Sequence, residues 1–205
     1  MNRGSLDLRG KVAREAASLL YLRLENEYKQ AKLRAAKTFS THFLPTNLEV
    51  AIELDKIADE NEGLARQERL IKMRKEALKL MQILKAYRPL LIGSVWRGTV
   101  HHESDIDIVA YHDEPDDIVE ALKQNNLKIT QTEWSTVTKK GKRKGSLHIY
   151  TEMPAKEKAE IKVTNPEEAC SKEKCQIYGD KITGLRIKEL EKLLKKNPAQ
   201  RFVPS

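Results

Sequence analysis

"LLIGSVWRGTVHHESDIDIVAYHD", Leu90 to Asp113, is the stretch on which the reading of the fold turns. Side chains on a strand alternate between its two faces. In "SDIDIVA", Asp105 and Asp107 therefore share one side while Ile106 and Ile108 share the other. The isoleucines belong in a core, which leaves the two aspartates facing one site. Burying a pair of carboxylates is costly unless a positive charge meets them. Two residues along a strand is roughly 6.6 Å between Cα atoms, a spacing from which both carboxylates can converge on metal ions about 3.5–4 Å apart. Hard oxygen donors of this kind suit Mg²⁺ or Mn²⁺ rather than zinc. Just upstream, "LLIGSVWRGT" reads as a strand ending in Gly93-Ser94. Glycine there lets the backbone approach a ligand closely, and the turn offers N–H groups, the Ser94 hydroxyl and the Arg97 guanidinium to an anion such as phosphate.

The chain on either side has different periods. From Leu6 to about Phe39, apolar residues recur at Val12, Ala16, Leu19, Leu20, Leu24, Tyr28, Ala31 and Ala35, the spacing of one long amphipathic helix. Pro45 breaks it. A second helix follows, with Thr46 and Glu49 at the spacing of a capping box and Gly63 at its end. A third carries Leu70, Met73, Ala77, Met81 and Leu84 and stops before Pro89. Beyond the opening stretch, "PDDIVEALKQNN" predicts a helix. "LKITQTEWSTVTKKGKRKGSLHIYTEM" predicts a hairpin with a basic tip, and "AEIKV" a half-buried strand with Ala159, Ile161 and Val163 on one face. "NPEEA", with Asn165 as N-cap, and "ITGLRIKELEKLLKK" predict the final helices, and the tail "NPAQRFVPS" is expected to be loosely ordered.

Composition narrows the class. The 205 residues, 40% of them apolar, can fill a real core. The charged share is 33% and the net charge +8, against a typical charged share of about 25%. This favours anionic partners, nucleic acid or nucleotide phosphates. No apolar run approaches the roughly 18 residues of a membrane span, and "MNRGSLDLRG" lacks the apolar core of a signal peptide, so no membrane contact and a cytoplasmic location are expected. Cys170 and Cys175 have no second pair at ligand spacing and are read as ordinary thiols.

The segment "GSVWRGTVHHESDIDI", with Ser94 eleven positions before Asp105 and Asp107 two further on, closely resembles the signature of the DNA polymerase β-like nucleotidyltransferase superfamily. It is most similar to the "GS, then SD-x-D" form of minimal nucleotidyltransferases and archaeal CCA-adding enzymes. The resemblance implies an α+β fold, a mixed sheet flanked by helices. The expected divisions are an N-terminal helical region (residues 1–69), a catalytic core (70–164) and a C-terminal helical segment and tail (165–205). It implies that Gly93, Ser94 and Arg97 lie at an NTP triphosphate, and that Asp105, Asp107 and a third carboxylate hold divalent metal. Glu160, on the polar face of "AEIKV", is the choice for that third acid, with Glu152 the competitor; the superfamily more often has aspartate there. The implied reaction moves a nucleotide from an NTP to a hydroxyl, with pyrophosphate leaving. RNA is the favoured acceptor and a protein side chain the variant. The chain is much shorter than archaeal CCA-adding enzymes, which argues against that activity. A non-catalytic RNA- or partner-binding module, and an antitoxin-like enzyme acting on a toxin partner, are the competing readings.

Outside the motif, His101 and His102 read as loop residues rather than contacts to substrate or metal, and Trp134 and Tyr150 as core aromatics of their strands rather than platforms for a stacked base. Lys139, Lys140, Lys142, Arg143 and Lys144 at the hairpin tip suit either a phosphate backbone or a solvated turn.

Overall fold

The computed structural model describes residues 3–139, 142–170 and 173–204. The N-terminal periodicity forms two helices, α1 (Arg3–Tyr21) and α2 (Tyr28–Thr38), where the sequence predicts one. Leu24 N–H donates to Leu19 O at 2.9 Å, and Arg23 takes a left-handed φ of 53°, so the chain turns at this point. The turn lets Val12, Ala16 and Leu20 pack with Ala31, Ala35 and Val50 in one buried cluster. A single straight helix would hold the two apolar stretches apart. The cost is an exposed corner, with Leu22 at 61% and Leu24 at 53%; no Gly or Pro announces it.

Helix α3 (Asn47–Ile83) starts at the predicted capping box: Glu49 N–H donates to Thr46 Oγ1 at 3.2 Å, and Thr46 N–H donates to Glu49 Oε2 at 2.6 Å. Gly63, at φ 52° and ψ −130°, breaks it into the two helices that the sequence predicts. Its second half presents Leu70, Met73, Ala77, Leu80 and Met81 to the main core.

The sheet is mixed, in the order β1 (Leu90–Ile92), β2 (Ile106–Tyr111), β5 (Lys158–Thr164), β4 (Lys142–Glu152), β3 (Lys128–Lys139). β2 and β5 are parallel; the other pairs are antiparallel. A helical turn, α4 (Gly93–Arg97), follows β1, and α5 (Pro115–Gln124) crosses from β2 to β3. Ile106, Ile108, Ala110, Ile149, Ile161 and Val163 line the buried face of the sheet, where α5 adds Ile118 and Leu122 and α6 (Ile187–Lys196) adds Leu190 and Leu193. "NPEEA" forms a 3-10 turn, Pro166–Cys170, with Asn165 Oδ1 accepting from Glu167 N–H at 2.8 Å. The fold class is α+β, a five-stranded mixed sheet flanked by helices.

The tail is held rather than loose. Arg74, fully buried, donates to the carbonyls of Val95, Trp96, Pro198 and Gln200 at 3.0, 2.9, 2.6 and 2.8 Å. Phe202 N–H donates to Arg97 O at 2.8 Å, and Arg201 pairs with Asp55. The tail carbonyls satisfy guanidinium donors that would otherwise be stranded in the core.

Candidate active site

In-register strand pairs present their side chains on the same face. Ile92 pairs with Asp107, Asp107 with Glu160, Glu160 with Tyr150, and Tyr150 with Gln131, so these residues form one row across the sheet face opposite the core. Neighbouring strands lie about 4.8 Å apart, which sets the Asp107 and Glu160 side chains beside each other. Asp105 sits two residues before Asp107, just ahead of β2, and borders a depression of about 380 Å³ with Tyr150, Lys156 and Lys158. Glu152 also borders that depression but pairs with Lys158, outside the Asp107 row. The structure therefore brings Glu160, not Glu152, opposite Asp107.

Gly93 ties the Gly-Ser turn to the carboxylates. Its φ is 70°, and a Cβ built on it would lie 1.9 Å from Asp107 Oδ2 and 2.8 Å from Asp107 Cγ. Only glycine can hold this backbone against this side chain. The turn's other end is fixed by Arg74, whose guanidinium takes the Val95 and Trp96 carbonyls. Arg66 donates to Val100 O at 2.6 Å while pairing with Asp55 and Asp59, and Glu62 accepts the His102 N–H at 2.9 Å. The loop between Ser94 and Asp105 is thus braced by α3. Beside Gly93 and Ser94 lies an apolar cavity of about 240 Å³, walled by Tyr28, Leu54, Trp96 and Tyr178.

The electrostatics are those of a site short of positive charge. Burial pushes the Asp107 carboxyl up to about 7, with Glu160 and Asp105 adding to the rise. Asp105 is also raised, again chiefly by burial; Lys158 and Arg23 pull it back, while Glu160 and Glu103 push it up. The charges that reach Asp107 are both negative. Three carboxylates on one face, one of them deeply buried with no cation opposing it, form a donor set that fits Mg²⁺ or Mn²⁺. Among the described residues, no three His, Cys, Asp or Glu side chains already close around a metal position. Glu160 Oε1 is bonded to His148 Nδ1 at 2.5 Å.

Other residues fall elsewhere. Arg97 departs from the expectation of a free phosphate contact. It is 4% exposed, pairs with Asp180 at 2.6 and 3.2 Å, donates to Phe202 O at 3.0 Å, and lies between the Trp96 and Tyr178 rings. It fastens the C-terminal segment to α4. His101 and His102 are loop residues that approach Tyr21, and burial lowers His101 to about 4. Trp134 is 66% exposed, so it is not a core residue. Lys140 lies outside the described residues, as do the side chains of Lys139, Lys142, Arg143 and Lys144. The sequence reading misses His148, although alternation in "GSLHIY" puts it on the polar face between Ser146 and Tyr150.

The five-stranded mixed sheet, the Gly-Ser turn against its second strand and the paired acids are the arrangement expected from the resemblance to polymerase β-like nucleotidyltransferases. Residues 70–162, a little under half of the chain, match the family model described as "Nucleotidyltransferase domain". No curated protein matches the chain. Among solved structures, it is similar to a cytoplasmic RNA terminal U-transferase, at 16% identity and a TM-score of 0.33, over 54% of this chain and 33% of that one. It is also similar to Cid1 in complex with the UTP analogue UMPNPP, at 18% identity and a TM-score of 0.33, over 55% of this chain and 36% of the other. A third is the Cid1 poly(U) polymerase with MgGTP bound, at 19% identity and a TM-score of 0.32, over 55% and 38%. The chain spans about a third of the length of these proteins.

Proposed function

We propose that this protein transfers a nucleotide from an NTP to a hydroxyl acceptor in a reaction that depends on Mg²⁺ or Mn²⁺. The observation that supports the reading is the close approach of Gly93 to Asp107: the Gly-Ser turn lies against the carboxylates, as a shared site for a triphosphate and its metal ions requires. The Gly93-Ser94 turn receives the triphosphate, and the adjoining apolar cavity offers space for the nucleoside. Asp105, Asp107 and Glu160 hold the divalent ions. When bound, these ions offset the charge of the attacking and leaving oxygens during in-line displacement at the α-phosphorus. Glu160 lies beside the depression that Asp105, Tyr150, Lys156 and Lys158 border. An acceptor hydroxyl entering there meets a carboxylate able to take its proton. Pyrophosphate leaves from the Gly-Ser side.

RNA is the acceptor favoured by the net charge of +8 and by the lysines of the depression. A protein hydroxyl is the variant. The test is incubation with each α-radiolabelled NTP and Mg²⁺ or Mn²⁺, with total RNA or total cell protein, beside an Asp105→Ala/Asp107→Ala control. Label in RNA, absent from the control, is the expected result; label in a protein band would name the other acceptor. No transfer with NTP binding intact would leave a non-catalytic binding module.

A further inference from the structure

Behind Glu160 the structure shows a hydrogen-bond chain that the proposed reaction does not use. His148 Nδ1 lies 2.5 Å from Glu160 Oε1, and His148 Nε2 lies 3.0 Å from Ser146 Oγ. An ionised carboxylate has no hydrogen to give, so Nδ1–H donates to Glu160; in the neutral ring Nε2 then accepts from the Ser146 hydroxyl. Serine, histidine and glutamate in this order also suggest a hydrolytic triad. Ser146, however, is 8% exposed in the middle of β4, where no substrate carbonyl can reach it. The chain therefore acts through Glu160 rather than on a substrate of its own.

We propose that His148 is a positioning residue for the third carboxylate of the site: its Nδ1–H takes up one oxygen of Glu160 and leaves the other for a divalent ion, while Ser146 fixes the ring. This rests on the metal-dependent reading above. The physical need comes from the side chain. Glutamate has one more rotatable bond than aspartate, and an untethered Glu160 must lose that freedom each time an ion binds. Asp107 needs no such tether, because the Gly93 backbone lies against it. His148 has its own place fixed by register, between Lys162 on β5 and Glu133 on β3. Partners that orient a metal-binding side chain are commonly worth about 10- to 100-fold in metal affinity.

The test is Mn²⁺ binding to the full chain, read from the electron paramagnetic resonance signal of the free ion. His148→Ala is expected to weaken Mn²⁺ binding at least about tenfold. His148→Asn, whose amide nitrogen takes the place of Nδ1, should recover most of the loss; His148→Gln, whose nitrogen takes the place of Nε2, should not. In a Glu160→Gln background, His148→Ala should change nothing further. Wild-type affinity in folded His148→Ala, or an Asn variant no better than Gln, would overturn the inference. If His148→Ala does not fold, the comparison of Asn with Gln decides it. A wild-type chain that binds no Mn²⁺ would instead overturn the proposed function, and this inference with it.

Discussion

At the scale of single residues, the site is made by one close approach. Gly93 has no alternative, because any Cβ would occupy the space of the Asp107 carboxylate. Gly93→Ala must displace either the Gly-Ser turn or Asp107. Misplacing a reacting group by about 1 Å costs on the order of 100-fold in rate. We therefore expect nucleotide transfer to fall about 100-fold or more, measured as initial rate at saturating NTP. Asp107 makes a second prediction, in the metal-free protein. Its carboxyl ionises at about 7 in the folded chain against an ordinary 3.8, so the folded state holds the proton more tightly than the unfolded state does. The folded state is unpenalised below pH 4 and loses stability as pH rises toward 7, by on the order of 4 kcal/mol at most. Asp107→Asn removes that burden. It should raise Tm in EDTA at pH 8 by at least about 3 °C, and by less at pH 5. An unchanged Tm at pH 8 would mean that the carboxylate is better satisfied than its surroundings indicate.

At the scale of elements, α4 is only five residues long and does not stand alone. Arg74 on α3 gathers the carbonyls of Val95 and Trp96 together with those of Pro198 and Gln200. Burial alone lowers this arginine to about 10, since no carboxylate faces it. Arg74→Met would leave four carbonyls without their donor, and each buried unsatisfied group costs about 1–3 kcal/mol. We expect Tm to fall by about 10 °C or more, and NTP affinity to fall because the turn loses its brace; calorimetry with and without a non-hydrolysable NTP reads both. The elements are unevenly legible in the sequence. Period-two alternation marks β2 and the faces of its residues, and the Thr46 capping box and the Gly63 break mark the ends of the α3 segments. Glu160 as the partner of Asp107 depends on strand order and register, which no local pattern encodes. The break after Tyr21 carries no Gly or Pro and follows from packing of α1 on α2. The role of Arg97 is hidden because the groups that occupy it, Asp180 and Phe202, lie 83 and 105 residues away.

At the scale of the whole molecule, two apolar clusters are joined along α3, one among the N-terminal helices and one around the sheet. Gly63 divides the helix between them. Ion pairs and backbone bonds from Glu62, Arg66 and Arg74 hold the loop that links Ser94 to Asp105, so the helical region braces the site. No helix is long and apolar enough to cross a membrane. With a net charge of +8, binding of the proposed RNA acceptor should be sensitive to salt. Replacing Lys139, Lys140, Lys142, Arg143 and Lys144 by alanine should weaken RNA binding and flatten its salt dependence, by about 0.7 in log–log slope for each phosphate that is no longer neutralised. An unchanged slope in filter binding across the physiological salt range would make the tip a solvated turn.

The most direct test of nucleotidyl transfer at Asp107 and Glu160 labels the NTP at two positions. With Mg²⁺ and the acceptor that the labelling experiment identifies, label at the α-phosphorus should appear on the acceptor while label at the γ-phosphorus leaves as pyrophosphate. Both should be lost in Asp107→Asn and in Glu160→Gln. Transfer of the γ-label to the acceptor, or full activity in either variant, would contradict the account.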